Sequence, residues 1–104
     1  MITIWKAPLL MMNTEFAAGY HAKWKEEYIV EMPLESELLT VQVQKGNPCV
    51  WFRVDTEQKQ MSLWKFIIVG TGHEIKIPIT FTKYVGTFQL YDGAFIGHVF
   101  EVTY

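Results

Sequence analysis

Cysteine, charge and long apolar runs are all scarce in this sequence, and each shortage removes a class of protein. The one cysteine, Cys49, leaves no intramolecular disulfide to hold a small secreted scaffold together. With no long apolar leader at the N-terminus, a reducing, cytoplasmic compartment is the expectation. Lysine and arginine number 9 against 11 aspartates and glutamates, so there is no basic surplus to neutralise phosphates. Binding to a nucleic-acid backbone is therefore not expected. The longest apolar runs, such as FIIV at 66 to 69, fall far short of the ~20 residues that a membrane-spanning helix needs.

Catalytic frames are missing too. There is no serine-histidine-acid order with a nucleophile elbow, no pair of carboxylates in a recognisable frame and no metal triad, so neither enzyme activity nor a cofactor is expected. His21, His73, His98 and Cys49 are ligands by type, but their spacings match no zinc hairpin or two-histidine helical motif, and no metal site is expected. Cys49 reads as a buried structural thiol.

What the chain has is apolar surface. Half of its 104 residues are hydrophobic and 15% are aromatic, against 19% charged. A chain of this length forms one domain, 1 to 104, and buries only about two-thirds of the surface that it exposes when unfolded. Some of the apolar surplus is expected in a homo-oligomer interface or a binding groove.

Period-two alternation dominates. ITIWKA at 2 to 7 reads as an opening edge strand with Ile2, Ile4 and Ala7 as its apolar set, ended by Pro8. YIVEM at 28 to 32 is a short strand stopped by Pro33. Leu39, Val41 and Val43 are expected to face the core, with Thr40, Gln42 and Gln44 opposite. KGNP at 45 to 48 is a turn, after which Val50, Phe52 and Val54 point inward and Trp51, Arg53 and Asp55 outward. The strand at 61 to 70 breaks into a continuous apolar run, so burial on both faces is expected near its end. Pro78 demotes EIKIPITF at 74 to 81 to an edge strand or an extended loop. Tyr84 to Tyr91 and Ala94 to Tyr104 flank Asp92-Gly93, the pair favoured in a two-residue hairpin turn. The fold expected is all-β and mainly antiparallel, a small sandwich or partly closed barrel of about seven strands.

One stretch departs from that pattern. Residues 9 to 27 read as an insertion, and Phe16, Tyr20, Trp24 and Tyr28 recur at steps of four, placing an aromatic stripe on one face of a short helix. Gly19 in its middle leaves a mobile insertion or a broadened hairpin as the alternatives. The stripe is core packing or a subunit interface, and it is the first place to look for oligomer contacts.

Taken in order, the motifs TVQVQKGNPCVWFRVD, FIIVGTGHEI, YVGTFQL and GHVFEV resemble a family of small uncharacterised proteins found mainly in phages and prophages. The likeness covers 1 to 7 and 28 to 104. It implies a viral origin, action in the cytoplasm of a bacterial host, and no defined activity.

Two groups of residues carry a binding reading. Gly70, Thr71, Gly72 and His73 follow an apolar strand, where converging backbone N–H groups and an imidazole suit a phosphate; a plain turn is the alternative. Gln42 and Gln44 fall beside Trp51 and Arg53 if the KGNP turn pairs their strands. An indole with forked donors suits a base, a sugar or a peptide strand, and an ordinary solvated face is the alternative. Thr87 and Gln89 would extend this polar surface. His98, in phase with Ala94, Ile96, Phe100 and Val102, reads as a hydrogen-bonded core or interface residue. The function expected is that of a non-enzymatic, phage-type accessory protein that captures a small phosphorylated or nucleotide signal of the host. A protein-binding inhibitor or a structural phage component acting through exposed aromatics is the alternative.

Overall fold

A computed structural model describes residues 1–9 and 27–103. Seven strands follow one another: β1 (Ile2–Pro8), β2 (Glu27–Pro33), β3 (Glu37–Gln44), β4 (Asn47–Asp55), β5 (Met61–Gly70), β6 (Thr82–Leu90) and β7 (Phe95–Val102). They form two antiparallel sheets, β1-β4-β3 and β2-β5-β7-β6, arranged as a sandwich with no closed barrel. Among the described residues no helix is long and apolar enough to cross a membrane. The helical stripe expected at Phe16, Tyr20 and Trp24 lies outside the described residues. Tyr28, its last member, is half-buried on β2 and packs against the core.

The core is the layer between the sheets. Val41, Val50, Phe52 and Val54 enter from the three-stranded sheet, and Val30, Met32, Phe66, Phe88, Leu90 and Val99 from the four-stranded one. Phe52 stands edge-on to Trp64, with ring centroids 5.0 Å apart, and Trp64 stacks on Phe66 at 6.4 Å. Phe66 and Ile67 are both buried although they face opposite sides of β5, so the apolar run there is covered on both faces.

Turn chemistry works as the residue types require. Lys45 and Gly46, both at positive φ, close β3 onto β4 with Gln44 opposite Asn47. Asp92 and Gly93, at φ 55° and 89°, close the last hairpin, where the Ala94 N–H donates to the Tyr91 carbonyl at 3.0 Å. Strand pairing stops one step earlier, at Leu90 and Phe95, because Tyr91 also takes a positive φ.

Two expectations are corrected. Of Leu39, Val41 and Val43, only Val41 is buried, whereas Leu39 is 45% and Val43 37% exposed. Leu38 opposes Phe52 and Thr40 opposes Trp51, which leaves Leu39 as the extra residue of a β-bulge. Val43 lies next to the hairpin end, opposite Pro48. In β1 the apolar set splits: Ala7 pairs with Val50 and turns inward, as does Trp5 opposite Phe52, while Ile2 and Ile4 are left 64% and 51% exposed. Of the two alternatives for residues 74 to 81, the loop is the one found, and it ends in a short 3-10 turn, Ile79–Phe81.

Candidate functional site

The outer face of the three-stranded sheet gathers side chains from all three strands. Cross-strand partners share a face in an antiparallel pair. Thr40 opposes Trp51, Gln42 opposes Cys49, and Lys6 opposes Trp51 from the other side. Since Val41 and Val50 point into the core, Gln42, Gln44, Trp51 and Arg53 all point away from it, on one side of the layer.

Lys6 ties this face together. Its ammonium lies 5.5 Å from the centroid of the Trp51 indole and donates a hydrogen bond to Gln44 Oε1. Arg53 pairs with Glu37 across β3 and β4 at 2.5 Å, with both side chains more than half exposed. That ion pair orients the guanidinium while contributing little to stability. The indole Nε1 of Trp51 is buried and finds no acceptor among the described residues. Cys49 opens onto the same face but is buried, and burial raises its thiol pKa, against a smaller lowering by Lys6. A thiol held protonated is a poor nucleophile.

The Gly70–His73 segment is a tight turn at the end of β5. The His73 N–H donates to the Gly70 carbonyl at 3.0 Å, and the Thr71 N–H donates to the Ile96 carbonyl at 3.3 Å. Gly72 takes φ +87°, which a side chain would strain. Two of the N–H groups that a phosphate would need are therefore used inside the protein. The His73 ring folds back over Gly70, where an added Cβ would lie 3.0 Å from Nδ1.

The same turn feeds a relay on the outer face of the four-stranded sheet. Thr71 Oγ1 lies 2.7 Å from His98 Nε2, Thr87 Oγ1 lies 2.9 Å from His98 Nδ1, and the Tyr84 hydroxyl lies 2.5 Å from Thr87 Oγ1. His98 is hydrogen-bonded at both ring nitrogens and half-buried, opposite the core-facing side of β7. Thr87 and Gln89 thus belong to this sheet and do not extend the Trp51 face. The turn and the indole face look outward from opposite layers of the sandwich, so the structure does not bring the two groups together.

Reading the sequence missed Lys6, which reaches Trp51 only through the pairing of β1 with β4, some 45 residues downstream. No local signal marks that pairing. The Thr71–His98–Thr87 relay was equally hidden, because its members come from a turn and two strands. Among the described residues no group of three or more histidine, cysteine, aspartate or glutamate side chains could hold a metal ion.

A family described as a domain of unknown function (DUF7352) matches residues 1–104, and the chain belongs to that family. No curated protein and no solved structure matches the chain.

Proposed function

We propose that this member of a family of unknown function is a non-enzymatic binding protein that takes a small phosphorylated or nucleotide ligand on the outer face of its three-stranded sheet. The observation that carries the reading is the placement of Lys6 over the Trp51 indole while bonded to Gln44. Cation, amide and ring are held as one patch before any ligand arrives, which lowers the cost of ordering them on binding. Arg53, oriented by Glu37, adds a second cation beside it. The resemblance to phage and prophage proteins supplies the setting: an accessory protein that removes a host signal in the bacterial cytoplasm.

Calorimetric titration with a panel of cyclic and linear nucleotides tests this. Trp51→Ala is expected to weaken binding about tenfold or more, as loss of a desolvated cation-aromatic platform does. Arg53→Ala should weaken it as well and leave the melting temperature within a few degrees, because exposed positions cost little. Absence of heat for every nucleotide, with no small molecule co-purifying by mass spectrometry, rejects the reading.

A specific observation favours a second reading, in which a host protein is the partner. Ile2 and Ile4 on the edge strand β1 are 64% and 51% exposed, opposite Asp55 and Arg53 on the Trp51 face. An inhibitor or a structural phage component would use such a surface to bind another protein. Exposed edges also pair with copies of themselves, and we propose a homo-oligomer assembled through β1. Light scattering coupled to gel filtration is expected to give at least twice the chain's 12.2 kDa mass, and a monomer at high concentration would overturn this.

A further inference from the structure

Two β-bulges among the described residues face one cleft. Leu39 is the extra residue in β3, and Val85 is the extra residue in β6, between the pairs Tyr84–Phe100 and Gly86–Val99. Both side chains line a cleft of ≈ 440 Å³ at the mouth between the sheets, together with Leu38, Trp64, Lys83 and Glu101. Its size is that of a small-molecule site. Bulges recur beside binding sites because they re-aim side chains, and here one from each sheet turns an aliphatic group onto the same space.

The indole of Trp64 is immobilised in the cleft by Phe66 stacked at 6.4 Å and by Phe52 edge-on at 5.0 Å. Lys83 and Glu101 are direct cross-strand partners on β6 and β7, so their side chains stand next to each other. Among the described residues they make no ion pair with each other or with any other group, whereas Glu37, also in the cleft, is held by Arg53. Burial raises the pKa of the Glu101 carboxyl, partly offset by Lys83. A partly desolvated carboxylate beside an ammonium, over an aromatic ring and between two aliphatic walls, presents one donor followed by two acceptors.

We infer that this cleft binds a purine base through a guanine-type edge, with Lys83 donating to O6, the two oxygens of Glu101 accepting from N1–H and the exocyclic N2–H, and the ring against Trp64. Adenine offers one donor and one acceptor and cytosine one donor and two acceptors, so each leaves a carboxylate oxygen unused. Hypoxanthine lacks the exocyclic amine and does the same. Aromatic side chains hold bases of any sequence by stacking, and the choice among bases comes from the Lys83 and Glu101 pair. This site is separate from the Trp51 face and does not depend on a phosphate.

Titration of the full chain with guanosine, which carries no phosphate, followed by calorimetry and tryptophan fluorescence, tests the inference. Guanosine should bind, with inosine and adenosine weaker by about tenfold, the discrimination of one bidentate contact. Glu101→Gln should weaken guanosine by a similar factor and narrow its advantage over inosine. Lys83→Met should weaken both, with the melting temperatures of the two variants unchanged. Trp51→Ala should leave guanosine binding intact. The inference is overturned if guanosine shows no binding at millimolar concentration, if free aromatic amino acids bind more tightly than guanosine, or if Trp51→Ala abolishes guanosine binding while Glu101→Gln does not. Failure of guanosine with retained binding of phosphorylated ligands would remove the cleft and leave the sheet-face reading standing.

Discussion

Phe52→Ala is expected to lower the free energy of unfolding by about 3–5 kcal/mol, the usual cost of truncating a fully buried phenylalanine. Phe52 lies on β4, the central strand of its sheet, and has no exposed surface. Its ring touches two aromatics of the opposite layer, with centroids 5.0 Å from Trp64 and 6.4 Å from Phe66. Removing it loses the transfer free energy of the ring and leaves a cavity that stiff β-strands cannot close. Small domains have only about 5–15 kcal/mol in hand, so this one change brings the chain close to unfolding at room temperature. Urea titration followed by tryptophan fluorescence measures it, and Trp64, directly against the vacated space, supplies the signal. A loss below about 1 kcal/mol would move Phe52 out of the core, because only sites with little burial behave that way.

Gly86→Ala carries the second largest effect, because the two sheets touch at this point. A Cβ on Gly86 would lie 2.6 Å from Val41 Cγ1. Val41 is itself 4% exposed and packed in the core, so it cannot step aside without displacing its neighbours. Overpacking of this kind costs about 1–3 kcal/mol. Its origin can be checked directly: Val41→Ala removes the methyl groups in the way, so the double variant should be more stable than the sum of the two single losses predicts. Coupling energies between touching residues run to about 0.5–3 kcal/mol. Additive losses would show that the approach of β3 to β6 does not set the cost. The same approach, one residue beyond the β6 bulge, positions the wall of the cleft, and Gly86→Ala is therefore expected to weaken any ligand held there.

Much of the fold was legible because strands advertise themselves locally. Val50, Phe52 and Val54 alternate with Trp51, Arg53 and Asp55, and that alternation carries straight into the structure. Gly46 and Asp92-Gly93 mark the two tight hairpin turns, since few other residues adopt their backbone angles. The shared orientation of Trp51, Arg53, Gln42 and Gln44 was also legible, because a two-residue turn sets the register between β3 and β4. Leu39 and Ile4 were not, for one reason: a bulge or a distant pairing partner reverses side-chain direction without changing any local pattern. Ile2 and Ile4 look like a core set in isolation, and only the pairing of Trp5 with Phe52 sends them outward.

Read by itself, the sequence determined the β class, most strand positions, the hairpin turns and the inward set of β4, all of which depend on contacts between neighbours in the chain. Tertiary structure alone decided which strands share a sheet, which face of β1 is buried, that Lys6 covers Trp51, that the Gly70 turn and the Trp51 face look apart, and that Trp64, Lys83 and Glu101 meet in one cleft. Those features rest on register between segments tens of residues apart, where a shift of one residue exchanges the buried face for the exposed one.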